Sequence, residues 1–191
     1  MARCFGDGDP LYERYHDEEW GFPVLGESGL YERMTLEAFQ SGLSWRTILA
    51  KRDAFRRAFA DFDPDAVADF GDADVERLLG DAAIVRNRAK IEAALANARA
   101  TVALRDSGEP LEVVIRSHAP AHRDPPGSWA DVPSKAPETV ALARELKRRD
   151  FRFVGPTTLY ALMQACGLVN DHLANCPARP AVERARRAAG L

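Results

Sequence analysis

Leu36-Glu37-Ala38-Phe39-Gln40-Ser41-Gly42-Leu43-Ser44-Trp45 is the stretch on which the fold assignment turns. Upstream of it Leu30, Met34, Ala38 and Ser41 recur at helical spacing, predicting a helix over 29–40 with Ser28 as its N-cap. Glu37 lies seven positions after Leu30. At about 100° per residue it points almost the same way. A carboxylate on an apolar stripe is costly unless it is paired or used. Arg33, four residues earlier, is the partner that a purely structural role would give it. Gly42 interrupts the helix, and Ser44 can cap a following one over 45–60.

Outward from this stretch the helical pattern continues. Pro10 suits the first turn of a helix over 11–19, which Gly21 and Pro23 end. Pro64 and Asp72 open short helices over 65–70 and 73–79, and a longer one is expected over 85–105. A short apolar helix follows over 111–118, then a proline-rich loop over 119–137, the natural link between lobes. Helices over 138–149 and 156–166 flank a tight hairpin at 150–155, with Gly167 as a C-cap. The charged, Ala-rich tail 179–191 is expected to be a frayed surface helix or disordered. No segment shows sustained period-two alternation, so the fold class is all-α.

The 191 residues suit one domain or two small lobes sharing a core. No apolar run is long enough to span a bilayer, and residues 1–6 lack the apolar core of a signal peptide, so a cytoplasmic protein is the default. Three cysteines do not make a disulfide framework. The net charge of −3 argues mildly against a nucleic-acid partner, but binding needs basic side chains on one face only. Basic residues cluster at Arg46–Arg57, at Arg86–Lys90 and at Lys147–Arg152; taken singly, each cluster reads as a solvated helix face.

Three constellations could carry chemistry. His172 and Cys176, four apart, could join Cys4 and His16 in a closed tetrahedral zinc site, structural because no position is left for water. Equally, Cys4 could be a stray thiol, His16 an exposed helix residue and Cys176 a tail cysteine; spacing alone does not choose. His118 and His122 share the spacing but sit in the proline-rich loop without Cys or carboxylate support, and read as surface. Cys166 reads as a small buried hydrophobe. In the hairpin, Val154-Gly155-Pro156-Thr157-Thr158 presents a helix N-terminus whose N–H groups can receive a phosphate oxygen, with Lys147, Arg149 and Arg152 near. It could also be an ordinary helical turn. Finally Tyr15, Trp20 and Trp45 offer stacking surfaces around Glu37, an acceptor-only group when ionised. Each aromatic alone is as well explained by core packing.

Taken together, Cys4, Tyr15-His16-Asp17-x-x-Trp20-Gly21, Leu36-Glu37-x-x-Gln40-x-Gly42-Leu43-Ser44-Trp45, Phe151-x-Phe153-Val154-Gly155 and Met163-Gln164-Ala165-Cys166-Gly167-Leu168-Val169-Asn170-Asp171-His172 resemble the type I DNA-3-methyladenine glycosylases. The likeness runs from Arg3 to about Cys176. It implies a helix-hairpin-helix DNA glycosylase fold over 1–178, in which N- and C-terminal segments form one lobe around a central helical lobe, joined by a structural zinc. The ligands so implied are Cys4, His16, His172 and Cys176. The implied base pocket holds Tyr15, Trp45, Trp20 and Glu37, and the DNA backbone meets Arg152, Phe153, Val154, Gly155, Thr157 and Thr158. Phe5-Gly6 departs from the family's Gly-Trp, so Phe5 is the expected substitute for a pocket tryptophan.

The activity implied is hydrolysis of the N-glycosidic bond of 3-methyladenine in alkylated double-stranded DNA, by a monomer without a membrane partner. Glu37 is the catalytic candidate. No lysine stands out as a Schiff-base nucleophile, and Asp171 falls too late to match the superfamily's catalytic Asp. Two other classes remain: a non-catalytic DNA-binding relative that recognises distorted duplex, and a zinc-stabilised interaction protein.

Overall fold

The computed structural model describes residues 3–121 and 123–191. His122 lies outside them, while His118 is tied to the Glu145 carboxylate (3.3 Å). The described residues form ten α-helices and no strand: α1 Pro10–Glu18, α2 Glu27–Gln40, α3 Trp45–Ala58, α4 Pro64–Ala68, α5 Asp72–Gly80, α6 Arg88–Asp106, α7 Leu111–Ser117, α8 Pro137–Arg148, α9 Pro156–Ala165 and α10 Arg179–Ala188.

Local chemistry sets most of these boundaries. The Asp9 carboxylate caps α1 by accepting from the N–H groups of Leu11 and Tyr12, and Ser44 caps α3 through Thr47 N–H. Asn87 does the same for α6, which starts three residues later than its periodicity suggests. Ser28 is not the cap of α2. That helix starts at Glu27, behind Gly26, whose φ of 83° and whose N–H bond to Glu112 (3.0 Å) turn the chain into it. The helix expected to run to residue 60 ends at Ala58, and Ala60–Phe62 form a left-handed 3₁₀ turn. The stacking of Phe59 on Phe62, with ring centroids 5.6 Å apart, holds it.

Two apolar clusters fill the interior. One packs Tyr31, Phe39, Phe55, Phe62, Leu78 and Ile91, with Tyr15, Trp20 and Trp45 among its members. The other packs Met34, Leu104, Leu111, Leu142, Leu146 and Leu159 between α2, α6, α7, α8 and α9. Helices α2 and α6 feed both clusters and so act as the shared spine. The tail is not frayed. Val182 of α10 is fully buried, and Arg186 donates to the carbonyls of Gly167 (2.8 Å) and Leu168 (3.2 Å). Arginines that satisfy buried carbonyls look like solvated charge in a sequence.

The two ends of the chain meet along the C-terminus of α9. Gly21 N–H donates to Gln164 O (3.0 Å) and Val24 N–H to Cys166 O (3.2 Å). Gly167 makes this approach possible. Its φ is +72°, and a Cβ there would lie 2.6 Å from the Gly21 carbonyl oxygen and 2.7 Å from Pro23 N. Gly167→Ala is therefore expected to cost at least ~2 kcal/mol. Urea unfolding checks this; an unchanged midpoint would mean that the two segments do not need this contact.

Candidate active site and metal centre

The meeting of the chain ends places four soft donors together. One ligand atom each of Cys4, His16, His172 and Cys176 lies within 4.8 Å of every other. Cys176 Sγ is 3.3 Å from His172 Nδ1 and 3.4 Å from His16 Nε2, and Cys4 Sγ is 3.7 Å from His172 Nδ1. The other ring nitrogens are occupied. His16 Nδ1 lies 2.8 Å from the Asp17 carboxylate, and His172 Nε2 lies 2.9 Å from the Trp20 carbonyl. Each partner is an acceptor, so each outer nitrogen carries the proton and each inner one turns a lone pair toward the sulfurs. Burial pushes His172 down to about 4, which keeps the ring neutral. Burial also pushes the Cys4 thiol up to about 12, so a cation is what would make it a thiolate. The donor set can hold a metal ion. Gly21 fits against this cluster because a Cβ there would meet the His172 ring at 3.3 Å.

Beside the cluster opens a cavity of about 330 Å³. Small-ligand pockets begin at roughly this size. Tyr15, Trp20, Glu37 and Trp45, singled out from the sequence, all line it, as does Phe5. Tyr12, Gln40, Trp129, Ala161 and Gln164 complete it and were not foreseen. Tyr12 is three residues before Tyr15 on α1, a spacing that could have flagged it. Nothing local marks Trp129, which reaches the cavity from the proline-rich loop.

Glu37 is buried in this wall. The structural partner that sequence offers it is engaged elsewhere. Arg33 Nη2 donates to Glu19 (3.0 Å), and Arg52 forks onto the same carboxylate, with Nη2 at 2.8 Å and Nη1 also in contact. Burial raises the Glu19 carboxyl, but Arg52 and Arg33 outweigh it and hold that carboxyl below its ordinary value. Glu37 has no hydrogen-bond or ion-pair partner among the described residues. Burial pushes it from 4.5 up to about 8, opposed only by the nearby Arg33 charge. Trp45 Nε1, likewise buried, has no acceptor among the described residues. The cavity thus holds an unused carboxyl and an unused N–H donor among aromatic faces.

The hairpin between α8 and α9 stands apart from the cavity. Its left-handed residues are Asp150 (φ 65°) and Phe153 (φ 56°), not Gly155 (φ −75°). Buried Asn97 pins it, accepting from Arg152 N–H (2.7 Å) and donating to Arg152 O (3.0 Å). Val154 is buried and Phe153 is exposed. Gly155 leaves the N-terminus of α9 without a side-chain cap. Arg149 is paired with Glu109 and Glu145, so it is no free phosphate ligand; Arg152 makes no side-chain bond among the described residues. Arg46, Arg56 and Arg88 are ion-paired on exposed or half-exposed helix faces. Two members of the basic clusters are not solvated: Arg52 is buried on Glu19, and Lys90 is buried, donating to the carbonyls of Phe39 (2.9 Å) and Ser41 (2.5 Å).

Residues 5–179 match the methyladenine glycosylase family. This chain belongs to that family. It is 44% identical over 184 residues to DNA-3-methyladenine glycosylase 1 of Escherichia coli strain K12, covering 94% of this chain and 98% of that one. A crystal structure of a 3-methyladenine DNA glycosylase I superposes with a TM-score of 0.90 at 43% identity, over 94% of this chain and all of the other. The Staphylococcus aureus enzyme, whose structure describes its recognition of 3-methyladenine, gives 0.87 at 32% identity, over 93% and 95% of the two chains.

In this methyladenine glycosylase the four-donor cluster joins residues more than 150 positions apart in sequence, so a metal held there should report directly on stability. Elemental analysis is expected to find one ion per chain. Its removal by a strong chelator should lower the melting temperature by roughly 10 °C or more. A metal-free protein with an unchanged melt would contradict a metal role for the cluster.

Proposed function

We propose that this chain is a monofunctional DNA-3-methyladenine glycosylase of base-excision repair, hydrolysing the N-glycosidic bond of the damaged nucleotide and releasing the free base. One observation carries this: a buried carboxyl without a hydrogen-bond or ion-pair partner among the described residues, in an aromatic cavity about the size of a flat base. The 3-methylated nucleotide is cationic, and its glycosidic bond is already weak. The lesion leaves the duplex at a cost of a few kcal/mol, less where its stacking is poor. Tyr15, Trp45, Trp20 and Phe5 enclose the ring. As the cationic base enters, Glu37 releases its proton to solvent through the open cavity and forms an ion pair with the base in a low-dielectric site. Neutral adenine supplies no charge to offset ionisation of the buried carboxyl, so it is disfavoured. Glu37 also stabilises positive charge as the bond to the sugar breaks and water adds to the sugar carbon.

The metal is proposed to be one structural zinc. Tetrahedral zinc with S and N ligands sets S···N edges of roughly 3.5 Å, close to the separations of the cluster. Four protein ligands leave no open position, so zinc would hold the chain ends and take no part in the reaction. Arg152 and Phe153–Thr158 are proposed as a helix-hairpin-helix anchor, in which free N–H groups of α9 receive a backbone phosphate and read no base. Leu43 is 41% exposed on the turn between the cavity residues Gln40 and Trp45, where it could fill the gap left in the duplex. Residues 1–178 are proposed as the glycosylase domain, with 179–191 a C-terminal segment whose helix α10 packs onto it, acting as a cytoplasmic monomer on alkylated double-stranded DNA. A non-catalytic DNA-binding relative would not need the Glu37 pocket.

Release of free bases from methylated duplex DNA, resolved by chromatography, tests the proposal. Wild type is expected to release 3-methyladenine and not 7-methylguanine, with Glu37→Gln slower by about 10²-fold or more. No release by folded, metal-loaded wild type would sink the enzyme assignment.

A further inference from the structure

Trp129 is the one large aromatic of the proline-rich connection. It opens a 3₁₀ turn, Trp129–Asp131, which Ser128 fastens by donating its N–H and its hydroxyl to Asp131 (2.9 Å each). Upstream, Pro126 O accepts the N–H of Ala174 (2.8 Å), which ties the loop to the C-terminal segment. The indole N–H donates to the Cys4 carbonyl (3.0 Å). Its ring centroid is 6.1 Å from Trp20 and 6.3 Å from Phe5. It lines the cavity, yet 45% of it is exposed, against 7% for Trp20 and 8% for Trp45. An indole held at both ends and left open on one face is not packed as core.

Phe5 does not provide such a face. Its ring is engaged with Tyr12 at 5.0 Å, His16 at 4.8 Å and Trp20 at 5.1 Å, so it closes the inner side of the cavity against the metal cluster. The outer side is where Trp129 stands. We propose that Trp129 supplies the outer aromatic wall of the base pocket in this chain, stacking on the extruded base and setting how tightly it is held. Trp129 thereby takes over part of the role lost with the Phe5-Gly6 substitution. The proposal rests on the glycosylase assignment. Because the indole is bonded to a residue that supplies a metal ligand, the wall is positioned by the same cluster that joins the chain ends.

The test compares Trp129→Leu with Trp129→Phe in steady-state base release from methylated duplex DNA, with melting temperature and metal content measured on each. Both substitutions lose the bond to Cys4, so any difference between them reports on the ring face. Base–aromatic stacking corresponds to roughly 5- to 150-fold in binding. Trp129→Leu is expected to raise KM by a factor in that range with kcat less affected, and Trp129→Phe to recover most of it, at equal melting temperatures. Equal KM for Leu and Phe would overturn the stacking role, whether both match wild type or both are impaired alike, the latter leaving Trp129 a loop anchor. Wild-type release measured alongside separates the two claims. Its absence overturns the glycosylase assignment and this proposal with it, whereas its presence with equal variants overturns the role of Trp129 alone.

Discussion

Glu19 decides what Glu37 can be. It ends α1 and gathers Arg33 from α2 and Arg52 from α3 onto one partly buried carboxylate. Arg33 sits one helical turn before Glu37 and would otherwise be its natural partner. Glu19 holds Arg33 through Nη2, Arg33 Nη1 reaches no hydrogen-bond acceptor among the described residues, and at Glu37 burial wins over the attraction of the arginine. The same ion cluster locks together the three helices that carry Tyr12, Tyr15, Glu37, Gln40 and Trp45, half of the cavity lining. A charge cluster that sets helix positions also leaves one acid free for a ligand.

The second constraint is the joining of the chain ends. Cys4 and His16 reach His172 and Cys176, Gly21 runs against Gln164, and Gly167 has no Cβ to block it. From that junction hang three aromatic walls: Phe5 beside His16, Trp20 over His172 at 4.6 Å, and Trp129 bonded to Cys4. Phe5, Trp20 and Trp129 are therefore positioned by the junction, and the four-donor cluster beside the cavity bears on its shape.

The all-α class, most helix spans and several of the residues that line the cavity were legible in the sequence, because periodicity, caps and an acid on an apolar stripe are local signals. Glu37 stood out for that reason. Whether it was paired was not legible, because the competition for Arg33 comes from Glu19, fourteen residues away on another helix. Trp129 was hidden because its loop carries no periodicity and its partners, Cys4 and Phe5, lie over 120 residues away. Asp171 was set aside as too late in the chain for a catalytic role; it is buried, accepting from Tyr160 (2.7 Å) and Gln164 (2.9 Å), and so positions a cavity residue. The docking of α10 was missed because charge in a sequence does not tell water from buried carbonyls as its partner.

The chemistry proposed for the cavity depends on the state of one side chain, Glu37. A folded-state value raised above the unfolded one means that the folded protein binds the proton more tightly between pH 4.5 and about 8. Stability drawn from the neutral carboxyl is full below that window and is lost as pH rises through it. Carbon-13 NMR of the glutamate side-chain carboxyls, with Glu37 assigned by comparison with Glu37→Gln, measures this directly in the ligand-free protein. The expected result is a Glu37 titration centred at about 8. A titration in the ordinary carboxylate range would mean that Glu37 is paired or solvated, and the central claim of a poised, unneutralised acid would fail.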